Sequence, residues 1–196
     1  MAVLDWITPE PGLMLDDEQV TLRPPRSADY REWSELRRES RPFLQPWEPT
    51  WPPDDLTRAA FRRRLSIYNR DQDLGQGYAF FVFRKPDNVL VGGVNLRDIR
   101  RGVAQSGALG YWVGAQHARQ GYTLAAVRAV ARFAFGRLGL HRLDAACLPE
   151  NEASRRLLLR AGFDHEGRAR AYLKINGQWR DHLLFGLVKD EQRELR

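Results

Sequence analysis

A segment that begins as a β-strand and ends in a long helix constrains the fold of this chain more than any other. Tyr111, Trp112 and Val113 are apolar and strand-like, a polar loop follows them, and Gly121 leads into an amphipathic helix. The first backbone N–H groups of a helix lack intrahelical partners, and the helix dipole places partial positive charge beside them. This order of strand, loop and helix N-terminus predicts a site that binds a phosphate or diphosphate group.

Two common diphosphate-binding motifs do not fit this chain. It contains no G-x-x-x-x-G-K motif followed by Ser or Thr, which excludes a Walker P-loop. A G-x-G-x-x-G motif begins at Gly75 and Gly77, but Phe80 stands in place of its third glycine. The diphosphate is therefore expected on a different kind of cofactor.

A second pattern lies in the last third of the chain. Asn151 and Ser154 stand three residues apart, an apolar helix follows them, and Gly162 and Phe163 end that helix. With the loop at 118–123, this pattern resembles the GCN5-related N-acetyltransferases (the GNAT superfamily), whose loop reads Gln/Arg-x-x-Gly-x-Gly/Ala and whose fifth strand precedes an N-x-x-S pattern. The loop of this chain retains only Gly121 of that motif.

Two further segments narrow the resemblance. Residues 172–182 and 43–49 are similar to those of the RimJ-like ribosomal-protein-alanine N-acetyltransferases within that superfamily. The resemblance extends over about residues 20–188. It implies an enzyme that transfers acetyl from acetyl-CoA to a primary amine by direct attack in a ternary complex. The implied acceptor is the N-terminal alanine of a ribosomal protein.

Hydrophobic periodicity predicts elements in the order β-α-α-β-β-β-α-β-α-β-β. Strands are predicted at 20–23, 78–84, 89–96, 108–113, 142–147, 168–173 and 183–188, with a loop over 42–53 and a hairpin turn at 176–177. Helices are predicted after a capping Ser27, from Asp54 or Asp55, over 122–138 up to Gly139, and over 152–161. The resemblance implies the topology, an α/β (mixed α+β) GNAT fold whose mostly antiparallel central sheet has splayed fourth and fifth strands.

The same resemblance implies which residues hold acetyl-CoA. Backbone groups of Tyr111, Trp112 and Val113 are expected to pair with the pantetheine amides between the splayed strands. Asn151 and Ser154 are expected to contact the pantetheine and the thioester, although their spacing also suits a plain helix cap. The expected phosphate contacts are Ala118, Arg119, Gln120, Gly121, Tyr122, Thr123 and Arg155.

The reaction requires a neutral amine and a hydrogen-bond donor for the leaving thiolate. An α-amine with a pKa of about 7.7–8.0 is partly neutral at pH 7, so a peptide N-terminus makes little demand on a general base. Ser154 is the expected donor to the thiolate, with Tyr172 as the alternative. Glu48, in a loop rich in proline and tryptophan, is expected to bind the acceptor ammonium and to pass its proton to water.

Other side chains have weaker claims on function. Trp47 is expected either to wall the acceptor groove or to anchor its loop, and Asp98 and Asp181 are lesser candidates for acceptor binding. Cys147 needs no catalytic role in direct transfer and is expected in the core. The four histidines show no ligand spacing, so no metal is expected.

Length and charge limit the class of protein. The 196 residues predict one domain over 1–196 with its core at about 20–188. Because the chain has no apolar run of about 18 residues and no signal-type N-terminus, a cytoplasmic protein that does not contact the membrane is expected. The net charge of +6 suits cofactor phosphates or ribosomal RNA, although the excess of arginine over lysine also fits genome composition alone. Monomer and homodimer both remain open.

Two other functions remain compatible with these patterns. A small-amine acetyltransferase, for a polyamine or an aminoglycoside, needs an acidic and enclosed acceptor site, whereas a peptide needs an open groove beside Trp47. A ribosome-assembly factor that binds CoA without turnover is the non-catalytic alternative, because Ala118 replaces the usual Gln or Arg of the loop.

Overall fold

The computed structural model describes residues 12–189, whose strands form one eight-stranded sheet. In chain order the strands are β1 (Leu15–Asp16), β2 (Val20–Arg23), β3 (Tyr78–Arg84), β4 (Val89–Arg100), β5 (Ser106–Val113), β6 (Arg142–Cys147), β7 (Asp164–Ile175) and β8 (Gln178–Val188). Their order across the sheet is β1-β2-β3-β4-β5-β6-β8-β7. The prediction that the first residues do not form a signal-type segment concerns residues outside the described range. The prediction of one domain over 1–196 also stays a prediction.

Five α-helices and three 3-10 turns connect the strands of the described residues. The helices are α1 (Tyr30–Glu39), α2 (Arg41–Leu44), α3 (Arg58–Asp73), α4 (Tyr122–Gly136) and α5 (Glu152–Arg160). The 3-10 turns are Ser27–Asp29, Gln45–Trp47 and Ala115–His117. The predicted order of elements is confirmed, with the short β1 and α2 as additions.

Neighbouring strands run antiparallel except for β5 and β6, which run parallel. Their pairing begins at Ser106 with Arg142 and ends at Leu109 with Ala145. Beyond that point β5 stays paired with β4, and β6 stays paired with β8. The two strands therefore splay apart, as predicted for the fourth and fifth strands of the sequence pattern.

Two hydrophobic cores lie on opposite faces of the sheet. Successive side chains of a strand point to opposite faces. In β3, Phe80 and Val82 join the core beneath α4 and α5, whereas Phe81 and Phe83 join the core beneath α1 and α3. Helix α4 is the more enclosed element, because most of its side chains from Ala126 onward are buried.

The predicted helix cap at Ser27 is wrong. Ser27–Asp29 form a 3-10 turn, and the backbone N–H of Arg26 donates to the carboxylate of Asp29 at 2.7 Å. Both guanidinium Nη atoms of Arg23 donate to the same carboxylate at 2.8 and 2.7 Å. Asp29 caps this turn because its carboxylate accepts all three of these hydrogen bonds, two of them from the guanidinium of Arg23.

Several boundaries also differ from the sequence prediction. The predicted loop over 42–53 begins with helical turns, because prolines are tolerated in the first helical turn, where an N–H has no partner anyway. Helix α3 begins at Arg58, where the Thr57 hydroxyl accepts from the Ala60 N–H at 3.2 Å. Helix α4 ends at Gly136, before Leu138, and Gly139 follows with a φ of 64°. The turn at 176–177 is confirmed, with φ values of 44° and 82°.

Gly92 is a position in β4 where a side chain cannot be added without moving the next strand. A Cβ there would lie 2.4 Å from the carbonyl oxygen of Trp112. We expect Gly92→Ala to lower the free energy of unfolding by about 1–3 kcal/mol, because the backbone of β5 must shift. Urea denaturation measures this change.

Gly136→Ala is the matched control. A Cβ at that helical position meets no atom within 4 Å, and alanine is the better helix former. Its free energy of unfolding should stay equal or rise by up to about 1 kcal/mol. Equal unfolding midpoints for the two variants would contradict the close approach of β5 to β4.

Candidate active site

The splay between β5 and β6 leaves one edge of β5 open. Residues 110–113 pair with β4 on one side and, within 12–189, with no strand on the other. Unpaired backbone N–H and C=O groups that are shielded from water cost about as much as a lost hydrogen bond. Tyr111, Trp112 and Val113 therefore present an edge that suits the amides of a pantetheine, as the resemblance implies.

The loop that follows β5 delivers an uncapped helix N-terminus. Gly121 precedes α4 with a φ of 89° and has no side chain to cap the first turn. The backbone N–H groups of Tyr122 and Thr123 are therefore oriented to receive an anion. The Gln120 side chain donates back to the carbonyl of Gln116 at 2.9 Å. The assignment of residues 118–123, including Ala118 and Arg119, to diphosphate binding stays a prediction.

Ser154 lies beside the open edge and is paired with a tyrosine. Its Oγ is 2.7 Å from the Oη of Tyr111. Burial raises the pKa of the Tyr111 hydroxyl above its ordinary value, so the phenol stays protonated and able to donate. The sequence pattern predicts a role only for the backbone of Tyr111. The alternation of side chains along a strand could have predicted where the Tyr111 side chain lies, because Tyr111 stands two residues from the buried Leu109 and shares its face of the sheet.

The residues around Ser154 have separate tasks. The Oδ1 of Asn151 accepts from the Ser154 N–H at 3.0 Å, so Asn151 caps α5 and its side-chain amide is left as the donor for a ligand. Arg155 is exposed and pairs with Glu152 at 3.3 Å. Cys147 is buried, as predicted, and burial raises the pKa of its thiol above the ordinary value. Direct phosphate contact by Arg155 stays a prediction.

Glu48 is held on both of its carboxylate oxygens. The two guanidinium Nη atoms of Arg37 donate to Oε1 and Oε2 at 2.8 and 2.7 Å, and the Trp51 indole donates to Oε2 at 2.7 Å. The Glu48 carbonyl accepts from the N–H of Asn176, in the turn between β7 and β8, at 2.9 Å. Glu48 therefore joins α1, its own loop and the hairpin turn. Its predicted contact with an acceptor ammonium stays a prediction.

The structure does not place the other proposed acceptor residues in one cluster with Ser154. Asp98 is exposed at the bulge of β4 with a φ of 52°. Asp181 accepts from the Ala171 N–H at 2.8 Å and from Arg168, and these interactions lower the pKa of its carboxyl. Asp181 therefore supports the bulge of β7 as an ionised acceptor, and it is poorly suited to be a base at neutral pH.

Two predicted aromatic residues remain accessible. Tyr172 is 48% exposed on β7, and its ring packs edge-on against that of His182 at 5.8 Å. Trp47 is 37% exposed at the end of its 3-10 turn, next to the anchored Glu48. Both rings are exposed on segments that reach the hairpin turn, which keeps both as candidates for acceptor binding.

A cavity of about 510 Å³ lies between α3 and the neighbouring ends of β3 and β4. Asn95 in its wall pairs with Gly110, where the open edge of β5 begins. Three aspartates and three arginines line it, namely Asp54, Asp55, Asp71, Arg63, Arg64 and Arg97. Asp54 pairs with Arg63 and Asp55 with Arg64. The cavity is therefore balanced in charge and has no acidic excess.

All four histidines lie within residues 12–189, and none of them belongs to a candidate metal site there. His117 is buried, its Nε2 has no hydrogen-bond partner within 12–189, and burial lowers the pKa of its imidazole. Over the same range the structure shows no group of three or more His, Cys, Asp or Glu side chains arranged to hold a metal ion.

Among residues 12–189, no helix combines the length and the apolar character that crossing a membrane requires.

Comparison with known proteins places this geometry in a family. A family model described as an Acetyltransferase (GNAT) domain matches residues 19–164. The Probable N-acetyltransferase YjcK of Bacillus subtilis is 34% identical over 92% of this chain and 100% of that protein. The ribosomal protein uS5-alanine N-acetyltransferase of Escherichia coli is 31% identical over 91% of this chain and 92% of that protein.

A solved structure shows the same architecture. Mycobacterium smegmatis RimJ, in complex with CoA-disulfide, is 31% identical to this chain and superimposes with a TM-score of 0.85. The superposition covers 90% of this chain and 85% of that protein. The relative therefore binds a CoA compound on a closely similar fold.

Gly121 offers a test of the uncapped helix N-terminus. Gly121→Asp and Gly121→Ala both force a side chain onto a φ of 89° and both meet the Gln19 side chain at about 3.3 Å, but only aspartate adds a negative charge. We expect CoA to bind about tenfold more weakly to Gly121→Asp than to Gly121→Ala, because the carboxylate repels the diphosphate. Titration calorimetry measures both affinities, and equal values would place the diphosphate elsewhere.

Proposed function

The chain belongs to the GNAT acetyltransferase family and is an N-acetyltransferase, and we propose that it transfers acetyl from acetyl-CoA to the N-terminal alanine of a ribosomal protein. The observation that carries the proposal is the open edge of β5 with Ser154 and Tyr111 hydrogen-bonded beside it at 2.7 Å. That arrangement supplies backbone partners for a pantetheine and a hydroxyl pair near the position of its sulfur. The similarity to the uS5-alanine enzyme supports the choice of acceptor.

The chemistry that we assign to this chain is direct transfer. The acceptor nitrogen bonds to the acetyl carbon, the bond from that carbon to sulfur breaks, and the proton that the amine loses is the proton that the thiol gains. Tyr111 donates to the Ser154 oxygen, which turns the Ser154 proton outward toward the leaving sulfur. Ser154 stabilises the developing thiolate by a hydrogen bond. Residues 118–123 hold the diphosphate and Asn151 orients the pantetheine in this proposal.

The charge balance of the neighbouring cavity favours a peptide over a small polyamine. A polyamine site needs an excess of carboxylates to compensate several ammonium groups, whereas the cavity pairs its aspartates with arginines. Trp47 and Tyr172 are exposed on the two segments that meet at the hairpin turn, where a peptide chain can lie. We assign acceptor binding to the surface beside the hairpin turn at 176–177, where Glu48 is anchored.

The remaining features of the proposal follow from its acceptor. A ribosomal protein that is modified at its N-terminus is synthesised in the cytoplasm, so we place the enzyme there as a single catalytic domain. The net charge of +6 suits an encounter with ribosomal RNA or with the ribosome. Monomer and homodimer are equally compatible with the proposal, and a metal has no part in it.

An acceptor panel tests the proposed function. Four acceptors are compared at saturating acetyl-CoA. They are a peptide that begins with Ala, a peptide that begins with Pro, a peptide whose N-terminal Ala is acetylated and which contains an internal Lys, and spermidine. We expect acetylation of the Ala peptide on its α-amine alone, because that amine is partly neutral at pH 7 and a lysine amine is not. Mass spectrometry locates the acetyl group. Faster acetylation of spermidine than of the Ala peptide would contradict the proposal.

Ser154 and Tyr111 are expected to act in series. Ser154→Ala should lower kcat roughly 10- to 1000-fold with little change in the acetyl-CoA KM. Tyr111→Phe should lower kcat by a smaller factor, and the double variant should match Ser154→Ala, because Tyr111 acts through Ser154. Steady-state kinetics on the Ala peptide measure these values.

Thermal unfolding supplies the control for the Ser154 variant. Asn151 caps α5 through the Ser154 backbone N–H, so alanine at 154 leaves the cap intact. Alanine does leave the Tyr111 hydroxyl without its partner, so the free energy of unfolding of Ser154→Ala should fall by about 1–3 kcal/mol and no further. A lowered midpoint with unchanged kcat would reduce Ser154 to a structural residue.

A further inference from the structure

Arg37 is a buried guanidinium that no part of the proposed reaction uses. It lies on α1, and its side chain is 7% exposed. Its two Nη atoms donate to the carboxylate of Glu48 at 2.8 and 2.7 Å, and its Nε has no hydrogen-bond partner within 12–189. A buried charge with one partner is costly unless its geometry is well satisfied.

The guanidinium of Arg37 connects two segments with different functions. The Cζ atom of Arg37 lies 4.2 Å from the ring centre of Trp51 and 5.0 Å from the ring centre of Trp112. Trp51 belongs to the loop over 42–53, which is proposed to bind the acceptor and is called the acceptor loop below. Trp112 belongs to β5, at the edge that is proposed to bind the pantetheine. Stacking of a guanidinium on aromatic rings is favourable, and it is stronger where water is excluded. The guanidinium of Arg37 thus contacts both the acceptor loop and β5.

Independent features fix the Trp112 end of this contact. A Cβ on Gly93 of β4 would lie 2.6 Å from the Trp112 Nε1, so the absence of a side chain there is what allows the indole to lie over β4. Phe81 meets the other side of the indole edge-on, with ring centres 6.4 Å apart. The Trp112 ring is therefore packed against β3 and β4 on the face of the sheet that also carries Arg37.

We propose that Arg37 is a positioning residue that couples occupancy of the β5 edge to the placement of the acceptor loop. The inference rests on the proposed function and concerns how its two binding sites communicate. A ligand that pairs with the backbone of β5 limits the movement of Trp112, the stacked guanidinium of Arg37 transmits that restraint to Glu48 and Trp51, and the loop is ordered for the acceptor. In this proposal Glu48 serves the acceptor through its pair with Arg37, and direct contact with the ammonium is the alternative that the double variant tests.

Arg37→Lys is the variant that separates these functions. Lysine keeps the positive charge but loses both the two-pronged pairing and the planar stacking of the guanidinium. Arg23→Lys is the matched control, because Arg23 pairs with Asp29 at 2.8 and 2.7 Å and lies 4.1 Å over the Phe83 ring, three strands away from β5. Loss of either stacked pair should lower stability to a similar extent.

Hydrogen exchange of the loop gives a readout that requires no turnover. Addition of CoA to the wild type and to Arg23→Lys should slow amide exchange at residues 45–51 severalfold. Addition of CoA to Arg37→Lys should leave exchange in this loop unchanged, with the CoA affinity itself within about threefold of the wild type. Equal slowing in all three proteins would overturn the inference while leaving the proposed function untouched.

Kinetics on the Ala peptide give the second test. Arg37→Lys should raise the acceptor KM about tenfold or more, with the acetyl-CoA KM changed by less than threefold, whereas Arg23→Lys should change neither. Glu48→Gln should reproduce the Arg37→Lys defect, and the double variant should be no worse than either single variant. Additive losses would mean that Glu48 contacts the acceptor directly and would overturn the inference. A wild type that binds CoA but never acetylates the peptide would instead contradict the proposed function.

Discussion

The end of strand pairing between Leu109 and Ala145 is the constraint on which the rest of this molecule depends. A sheet that stops pairing in its interior leaves backbone groups that must find another partner. The gap stays open because β5 is paired with β4 as far as Val113 and β6 is paired with β8 as far as Cys147. The proposed binding site is thus a property of the backbone, so a phosphate loop that departs from its family pattern remains compatible with it.

The alternation of β5 divides the work of the site between the two faces of the sheet. Tyr111 points toward α5 and meets Ser154, whereas Trp112 points toward α1 and meets Arg37. Under the proposed function, these two consecutive residues serve the leaving group and the loop at 42–53, respectively. The faces have separate hydrophobic cores, so each arrangement is supported by its own packing.

Local patterns in the sequence predicted the elements, the turn at 176–177 and the helix N-terminus at Gly121, because those signals lie within a few residues of one another. The contacts that define the site could not be predicted in this way. Tyr111 and Ser154 are separated by 43 residues, and the anchoring of Glu48 by Arg37 depends on how α1 packs on the sheet. The Ser27 cap was wrong because an ion pair with Arg23, on a neighbouring strand, selected Asp29 instead.

The open edge of β5 has a consequence for regulation. In the proposed binding mode the strand and the loop engage the amides and the diphosphate, which acetyl-CoA and free CoA have in common, so both compounds would bind through the same backbone groups. Product and donor would then compete for one site, and the fraction of enzyme that is ready to react would follow the ratio of acetyl-CoA to CoA more closely than either concentration alone. An enzyme with this kind of edge responds to the acetylation state of the cellular CoA pool without a separate regulatory site.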